Sequence, residues 1–155
     1  MAKIRITKEF RLEMAHILWN YDGLCRNMHG HSYILYVTII GEPSIMKDSN
    51  SGMVMDFAAL KKIVNQEIID NFDHSVVVNS QMPKSQIDSI KEVTQRCVIV
   101  DFQPTCENLL IYFSQKIKNQ LPNNVKLFSL KMYETAGSFA EWFADDNDDK
   151  VSKMN

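Results

Sequence analysis

Apolar and polar residues alternate from the start of the chain. Ile4, Ile6, Phe10, Leu12 and Met14 take one side, and Lys3, Arg5, Thr7, Glu9, Arg11 and Glu13 the other. Only Lys8 is out of phase, so the pattern predicts a half-buried strand. Its apolar phase runs through Met14 to His16. After the polar connection "WNYDGLCRN" a second strand is predicted from about His29 to Ile40. There His29, His31, Tyr33, Leu35, Val37 and Ile39 share a face. "GEPS" ends it, and "KDSNSG" is rich in turn formers.

The period then lengthens. Phe57, Leu60, Val64, Ile68 and Phe72 recur at three and four behind Asp56, a helix with one apolar stripe and an acidic cap. Asp73 and His74 stand at its end, beside the apolar run "SVVV". A second helix opens at "PTCEN" with Thr105 as cap and carries Leu109, Leu110, Phe113, Ile117 and Leu121 to a stop at Pro122. From Val125 to Glu134 the alternation returns. Phe128, Leu130 and Met132 share a face that Glu134 continues, and "FAEWF" follows as a partner segment. "CVIVDF" at 97–102 is strand-like, while "SQMPKSQIDSIKEVTQR" reads as an insertion, an irregular loop or a short helix. The order ββααββ predicts an α+β domain over residues 1–143, a four-stranded antiparallel sheet with two helices on one face. The tail 144–155 is acidic and lacks apolar spacing, and is expected to be disordered.

Composition narrows the partners. A chain of 155 residues with 45% hydrophobic and 23% charged residues is of ordinary globular make-up. A formal charge of -2 gives no global basic field, so nucleic acid is not an expected partner, although a local cluster of Lys or Arg can still hold a phosphorylated small molecule. No apolar run approaches a bilayer span. Three cysteines with no CxxC pair and no secretory leader point to a reducing, cytoplasmic setting.

Four histidines are present, and three share a phase. If the first two strands pair, His16 meets His29 and His31 at one end of the sheet. Three imidazoles with an open fourth position suit a catalytic zinc. Read locally, "HGH" is equally a polar strand start with solvated side chains. Cys25, four residues before His29, is either a thiol activated beside a cation or a small buried apolar residue. Cys97 and Cys106 are assigned to packing. Asp73–His74 is either an acid-oriented base or a helix-capping dipeptide. Glu134 either sits in solvent at a strand end or, if buried, needs a partner such as a heterocycle presenting two N–H donors. Glu107 reads as a helix-start residue.

Six blocks stand in a familiar order: "MAH" at 14–16, "CRNMHGHSY" at 25–33, "GMVMDFAALK" at 52–61, "FDHSVVVN" at 72–79, "PTCEN" at 104–108 and "YET" at 133–135. Over residues 3 to about 143 the chain resembles the 6-pyruvoyl-tetrahydropterin synthase / 6-carboxy-tetrahydropterin synthase family, which has the tunnelling fold. The resemblance implies His16, His29 and His31 as zinc ligands and Cys25 as the catalytic thiol. It implies Asp73 and His74 as the acid–base pair, Glu134 as anchor for the pterin's amino-pyrimidine edge, and Thr105 and Glu107 as lining of the pterin pocket. The three-residue spacer Arg26–Met28 between Cys25 and "HGH" is similar to the carboxy branch, which serves queuosine and other deazapurine synthesis. The resemblance thus implies a lyase converting 7,8-dihydroneopterin triphosphate to 6-carboxy-tetrahydropterin, acetaldehyde and triphosphate. It also implies a homohexamer built as a dimer of trimers. The alternatives are the pyruvoyl synthase, which stops before carbon–carbon cleavage, and a non-catalytic zinc- or pterin-binding module. The chain departs from the compact pattern in a longer 80–97 segment, in Trp142 near a position often held by tyrosine, and in the acidic tail.

Overall fold

A computed structural model describes residues 2–47 and 49–147. Strand β1 (Ile4–His16) pairs antiparallel with β2 (His29–Gly41) in unbroken register, from Ile4 opposite Gly41 to His16 opposite His29. Because side chains alternate, this register sends Phe10, Leu12, Met14, Tyr33, Leu35, Val37 and Ile39 into one buried face. Strand β5 (Val125–Thr135) extends the sheet beside β2, and β6 (Ser138–Phe143) pairs with β5, as the "FAEWF" pattern predicts.

The α+β class holds, but the sheet has six strands rather than four, in the order β4-β3-β1-β2-β5-β6. The additional pair is parallel: β3 (Ser75–Asn79) lies beside the His16 end of β1, and β4 (Cys97–Val100) beside β3. Both are short apolar runs without polar alternation: β3 is buried along most of its length between the two apolar clusters, while β4, at the sheet edge, leaves Ile99 43% exposed. Between them lies α3 (Lys84–Val93), in the segment with the least decisive sequence pattern.

Helix α1 (Phe57–Val64) starts where expected, its first turn capped by the Asp56 carboxylate, which accepts from the Ala58 N–H at 2.7 Å. It runs on through a π-helical segment, Asn65–Ile69, into α2 (Asp70–Phe72). Leu60, Val64, Ile68 and Phe72 repeat every four residues, a step that overshoots an α-helical turn. The wider π turn restores their alignment, and all four are buried. Phe57, predicted to share the stripe, is instead 49% exposed at the helix entrance, where the Lys8 ammonium of β1 lies 6.0 Å from its ring centroid. Helix α4 (Cys106–Lys118) buries Leu109, Leu110, Phe113 and Ile117 as predicted.

The main core lies between the sheet and α1, α2 and α4. A second cluster of Ile17, Val78, Met82 and Ile87 joins α3 to the β3 side chains of opposite phase to the core residue Val77. Helix α3 therefore covers the other face, correcting the placement of helices on one face only. Cys97 packs against this second cluster and Cys106 belongs to the main core.

Phe128 also leaves its predicted face. Thr38 opposes Ser129 and Ile39 opposes Leu127, so Phe128 is the extra residue of a β-bulge. Leu127 and Leu130 are buried on either side of it. The acidic stretch begins with the helical turn α5 (Ala144–Asn147), and its remainder, 148–155, lies outside the described residues. No helix among the described residues is long and apolar enough to cross a membrane.

Candidate active site

The β1–β2 register assembles a histidine cluster. His16 and His29 are a direct cross-strand pair, and His31 is two residues further along the same face of β2. Their ring centroids lie 4.6, 5.3 and 5.0 Å apart, and one nitrogen from each falls within 4.8 Å of the others. His16 is almost wholly buried; His29 and His31 are partly buried.

Backbone carbonyls fix two of the tautomers. His16 Nδ1 lies 2.7 Å from the Pro104 carbonyl, and His29 Nδ1 lies 2.7 Å from the Asn27 carbonyl. A carbonyl only accepts, so each Nδ1 carries the proton and, in a neutral ring, each Nε2 is a bare lone pair. Burial holds the His16 imidazole below its ordinary pKa, against the Pro104 carbonyl, which favours the neutral ring. The two Nε2 atoms stand 3.1 Å apart. Two lone pairs that close repel unless a cation shares them. The buried His31 Nε2 has no hydrogen-bond partner. Glu134 Oε1 is 3.2 Å from it, but out of hydrogen-bond alignment. Three inward nitrogens, two of them oriented by second partners, form a donor set that could hold a metal ion.

Glu134 is brought to the cluster by an irregularity. Tyr133 opposes Phe139 and Thr135 opposes Ser138, leaving Glu134 in a break of the β5–β6 register. Its Oε1 lies 3.6 Å from His16 Nε2 and accepts from the Tyr33 hydroxyl at 3.4 Å. It is partly buried, and so not the fully solvated strand end. Tyr33 is the participant that residue-type reasoning passed over. It is 1% exposed, its ring stacks edge-on to His31, and its hydroxyl stands between Glu134 and His16 Nδ1, 3.5 Å away. Burial, and then the Glu134 charge, push its phenol far above the usual range, which keeps it a neutral donor. Its place on the "HGHSY" face was the available signal.

Thr105 and Glu107 lie at the start of α4. The Thr105 hydroxyl caps the helix by accepting from the Asn108 N–H at 3.3 Å, while Glu107 is exposed. The neighbouring Gln103 clamps Trp19 on both sides, accepting from its N–H at 3.1 Å and donating to its carbonyl at 2.7 Å. Through Pro104, the same turn orients His16. Cys106, beside Thr105, is a buried thiol whose pKa is pushed up to about 12 by burial and then by Glu134, and it donates to the Met132 carbonyl.

Cys25 is exposed on a 3-10 turn, Leu24–Arg26, tied to the segment just after β1 by the Leu18 N–H, which donates to its carbonyl at 3.3 Å. Asp73 and His74 do face each other: His74 Nδ1 is 3.0 Å from Asp73 Oδ2. Adjacent residues manage this because His74 takes the left-handed conformation, φ 57°, held by its N–H to the Glu13 carbonyl. Asp73 Oδ1 accepts from the Glu13 N–H at 2.8 Å. Partial burial pushes the Asp73 carboxyl up, but the Glu13 N–H and the His74 imidazole outweigh it and hold the group below its ordinary value. His74 borders a shallow depression of about 420 Å³ that His31 also lines. Among the described residues, no hydrogen bond or ring contact joins this pair or Cys25 to the histidine cluster.

Comparison with known proteins matches this architecture. The chain is 33% identical over 140 residues to the 6-carboxy-5,6,7,8-tetrahydropterin synthase of Haemophilus influenzae, covering 89% of this chain and 97% of that protein. It is 30% identical to the Aquifex aeolicus protein of the same name, over an alignment covering 90% of this chain and 98% of that protein. A Wolinella succinogenes structure of an uncharacterized protein superposes with TM-score 0.73 at 22% identity, covering 92% of this chain and 99% of that one. The Caenorhabditis elegans 6-pyruvoyl tetrahydropterin synthase superposes with TM-score 0.65 at 25% identity, covering 92% and 96%. The profile described as 6-pyruvoyl tetrahydropterin synthase matches residues 5–145, and the chain belongs to that family.

Proposed function

We propose that the chain is a zinc-dependent 6-carboxy-5,6,7,8-tetrahydropterin synthase acting on 7,8-dihydroneopterin triphosphate, in queuosine or related deazapurine synthesis. The observation that carries the reading is the convergence of three imidazole nitrogens, two with fixed tautomers and one buried without a hydrogen bond. The names of the curated relatives support the carboxy branch, as does the three-residue spacer after Cys25.

A zinc ion held by His16, His29 and His31 supplies Lewis-acid polarisation of the substrate's side-chain oxygens. Glu134 binds the amino-pyrimidine edge through two N–H donors, and Tyr33 donates to the same carboxylate and orients it. Thr105 and Glu107 line the ring's pocket. Asp73 fixes the His74 tautomer with the proton on Nδ1, so Nε2 is the atom that accepts a proton from a substrate hydroxyl or carbon. The Cys25 thiolate exchanges a proton at the neighbouring substrate carbon. Triphosphate leaves, and water then adds to the side-chain carbonyl next to the ring, so that carbon–carbon cleavage leaves its oxygen in the ring carboxylate and the released two-carbon fragment takes up a proton as acetaldehyde. The protein works as a homohexamer, a dimer of trimers, in which Cys25 and Asp73–His74 complete sites between subunits. That assembly is supported by the two sheet edges, β4 and β6, that one chain leaves unpaired.

Incubating the zinc-loaded protein with 7,8-dihydroneopterin triphosphate and assaying triphosphate and acetaldehyde tests the reading. Both products in equal amounts are expected. Triphosphate without acetaldehyde assigns the pyruvoyl reaction instead, and neither product from a metal-loaded protein leaves a binding module.

A further inference from the structure

The strand pair has a second end. Where β1 begins and β2 finishes, a cleft of about 720 Å³ opens between the sheet, the end of α4 and the turn that starts β5. It is lined by four basic side chains, Lys3, Arg5, Lys118 and Lys126, against two acidic ones, Glu42 and Asp145. In a chain of net charge -2 this is a local concentration of positive charge. Among the described residues, no ion pair engages Lys3, Arg5 or Lys126.

Two features show that the cleft is built rather than incidental. The first is the bulge at Phe128, which turns an aromatic ring out of the core phase. The Arg5 guanidinium rests on that ring, 3.9 Å from its centroid, so it is held in place while its N–H edges stay available. The second is Gly41. A Cβ there would lie 3.0 Å from the Asn124 carbonyl oxygen and 3.0 Å from methyls of Val54 and Val125. Only a glycine lets the turn close this tightly against the end of β2.

From these observations we propose that the cleft is a second ligand site, taking a nucleotide through its phosphates. The basic side chains supply donors for the phosphate oxygens. Glu42 and Asp145 offer acceptors for sugar hydroxyls, and Leu121 and Pro122 an apolar wall for a flat base. Its volume suits a ligand of that size, within the range of about 300–1,000 Å³ common for small-molecule sites. The twelve residue steps along β1 from Ile4 to His16 separate it from the histidine cluster by about 40 Å at ~3.3 Å per step. A nucleotide here cannot be the group that reacts in the same subunit, so the site goes beyond the proposed reaction and does not depend on it.

Calorimetric titration of the full-length, zinc-loaded protein with ATP, inorganic triphosphate and adenosine tests this. ATP and triphosphate are expected to bind, adenosine at least ten times more weakly, and binding is expected to weaken as salt screens the cations. Arg5→Ala with Lys126→Ala should weaken both phosphate ligands at least tenfold with zinc content unchanged. Lys3→Ala with Lys126→Ala leaves the Arg5–Phe128 contact in place and should do the same, so loss of fold cannot stand in for loss of binding. His31→Ala, which breaks the metal cluster, should bind ATP like the parent. Equal binding of adenosine and ATP, unchanged affinity in either double variant, or lost ATP binding in His31→Ala overturns the proposal.

Discussion

At the His16–His29 end of the β1–β2 pair, the imidazoles are buried or partly buried and share one small volume, two of them oriented by backbone carbonyls and the third with no hydrogen bond at its buried nitrogen. At the Ile4–Gly41 end, the cations stand in a wide cleft, exposed to water. The same strands thus present charge in two physical regimes. Inside, desolvation makes every donor and acceptor cooperative, and removing one orphans the others. In the cleft, each charge acts through water and ions, and losses are graded.

The largest expected effect breaks the buried end. His31→Ala leaves two imidazoles, and bound zinc measured by atomic emission should fall from one per chain to a small fraction, with turnover lost. Full occupancy in that variant would remove His31 from the ligand set. Cys25→Ala sharpens the contrast, because the thiol lies outside the cluster on an exposed turn. Zinc should stay bound while turnover drops by about 10²–10⁴, the usual range for losing a positioned proton-transfer group. Undiminished turnover would dismiss Cys25 as a catalytic residue.

At the other end, Gly41→Ala forces a methyl against the turn. It should cost about 1–3 kcal/mol of unfolding free energy in urea, as overpacking does, while zinc binding survives. A variant as stable as the parent would show that the turn gives way. The smallest effect concerns Asp73, between the two regimes. Its carboxyl titrates below the ordinary value of 3.8, so its stabilising contribution is complete above pH 3.8 and is lost as pH falls through the lowered value. Asp73→Asn should therefore flatten the acid side of the apo protein's stability curve, read as urea midpoints from pH 5 to pH 3. An unchanged acid slope would assign that slope to other carboxylates.

Much of the site was legible before the fold. A period of two placed His16, His29 and His31 in one phase, and a direct cross-strand register is a near-automatic consequence when two long strands each bury one face. The helix caps at Asp56 and Thr105 were legible because a cap is local chemistry. The parallel pairing of β3 and β4 was not, although "CVIVDF" reads as strand-like, since apolar runs without alternation do not mark which strand lies beside which. Nor was the position of Phe128, because a bulge is settled by how two strands must bend together and leaves the composition of either unchanged. The Asp73–His74 contact depended on one left-handed residue, which the sequence does not mark at a histidine.

Local spacing by itself determined which residues face inward along β1 and β2, where the long helices start, and that a cysteine precedes two in-phase histidines. Tertiary structure decided what those residues meet. It supplied the Pro104 and Asn27 carbonyls that fix the imidazole tautomers, the register break that turns Glu134 toward the cluster, and the buried Tyr33 hydroxyl between them. It also gathered Lys3, Arg5, Lys118 and Lys126, scattered over more than a hundred positions, into one cleft. Side-chain alternation is a property of neighbouring residues, whereas hydrogen-bond partners and charge clusters are properties of distant segments that meet only when the sheet closes on its helices.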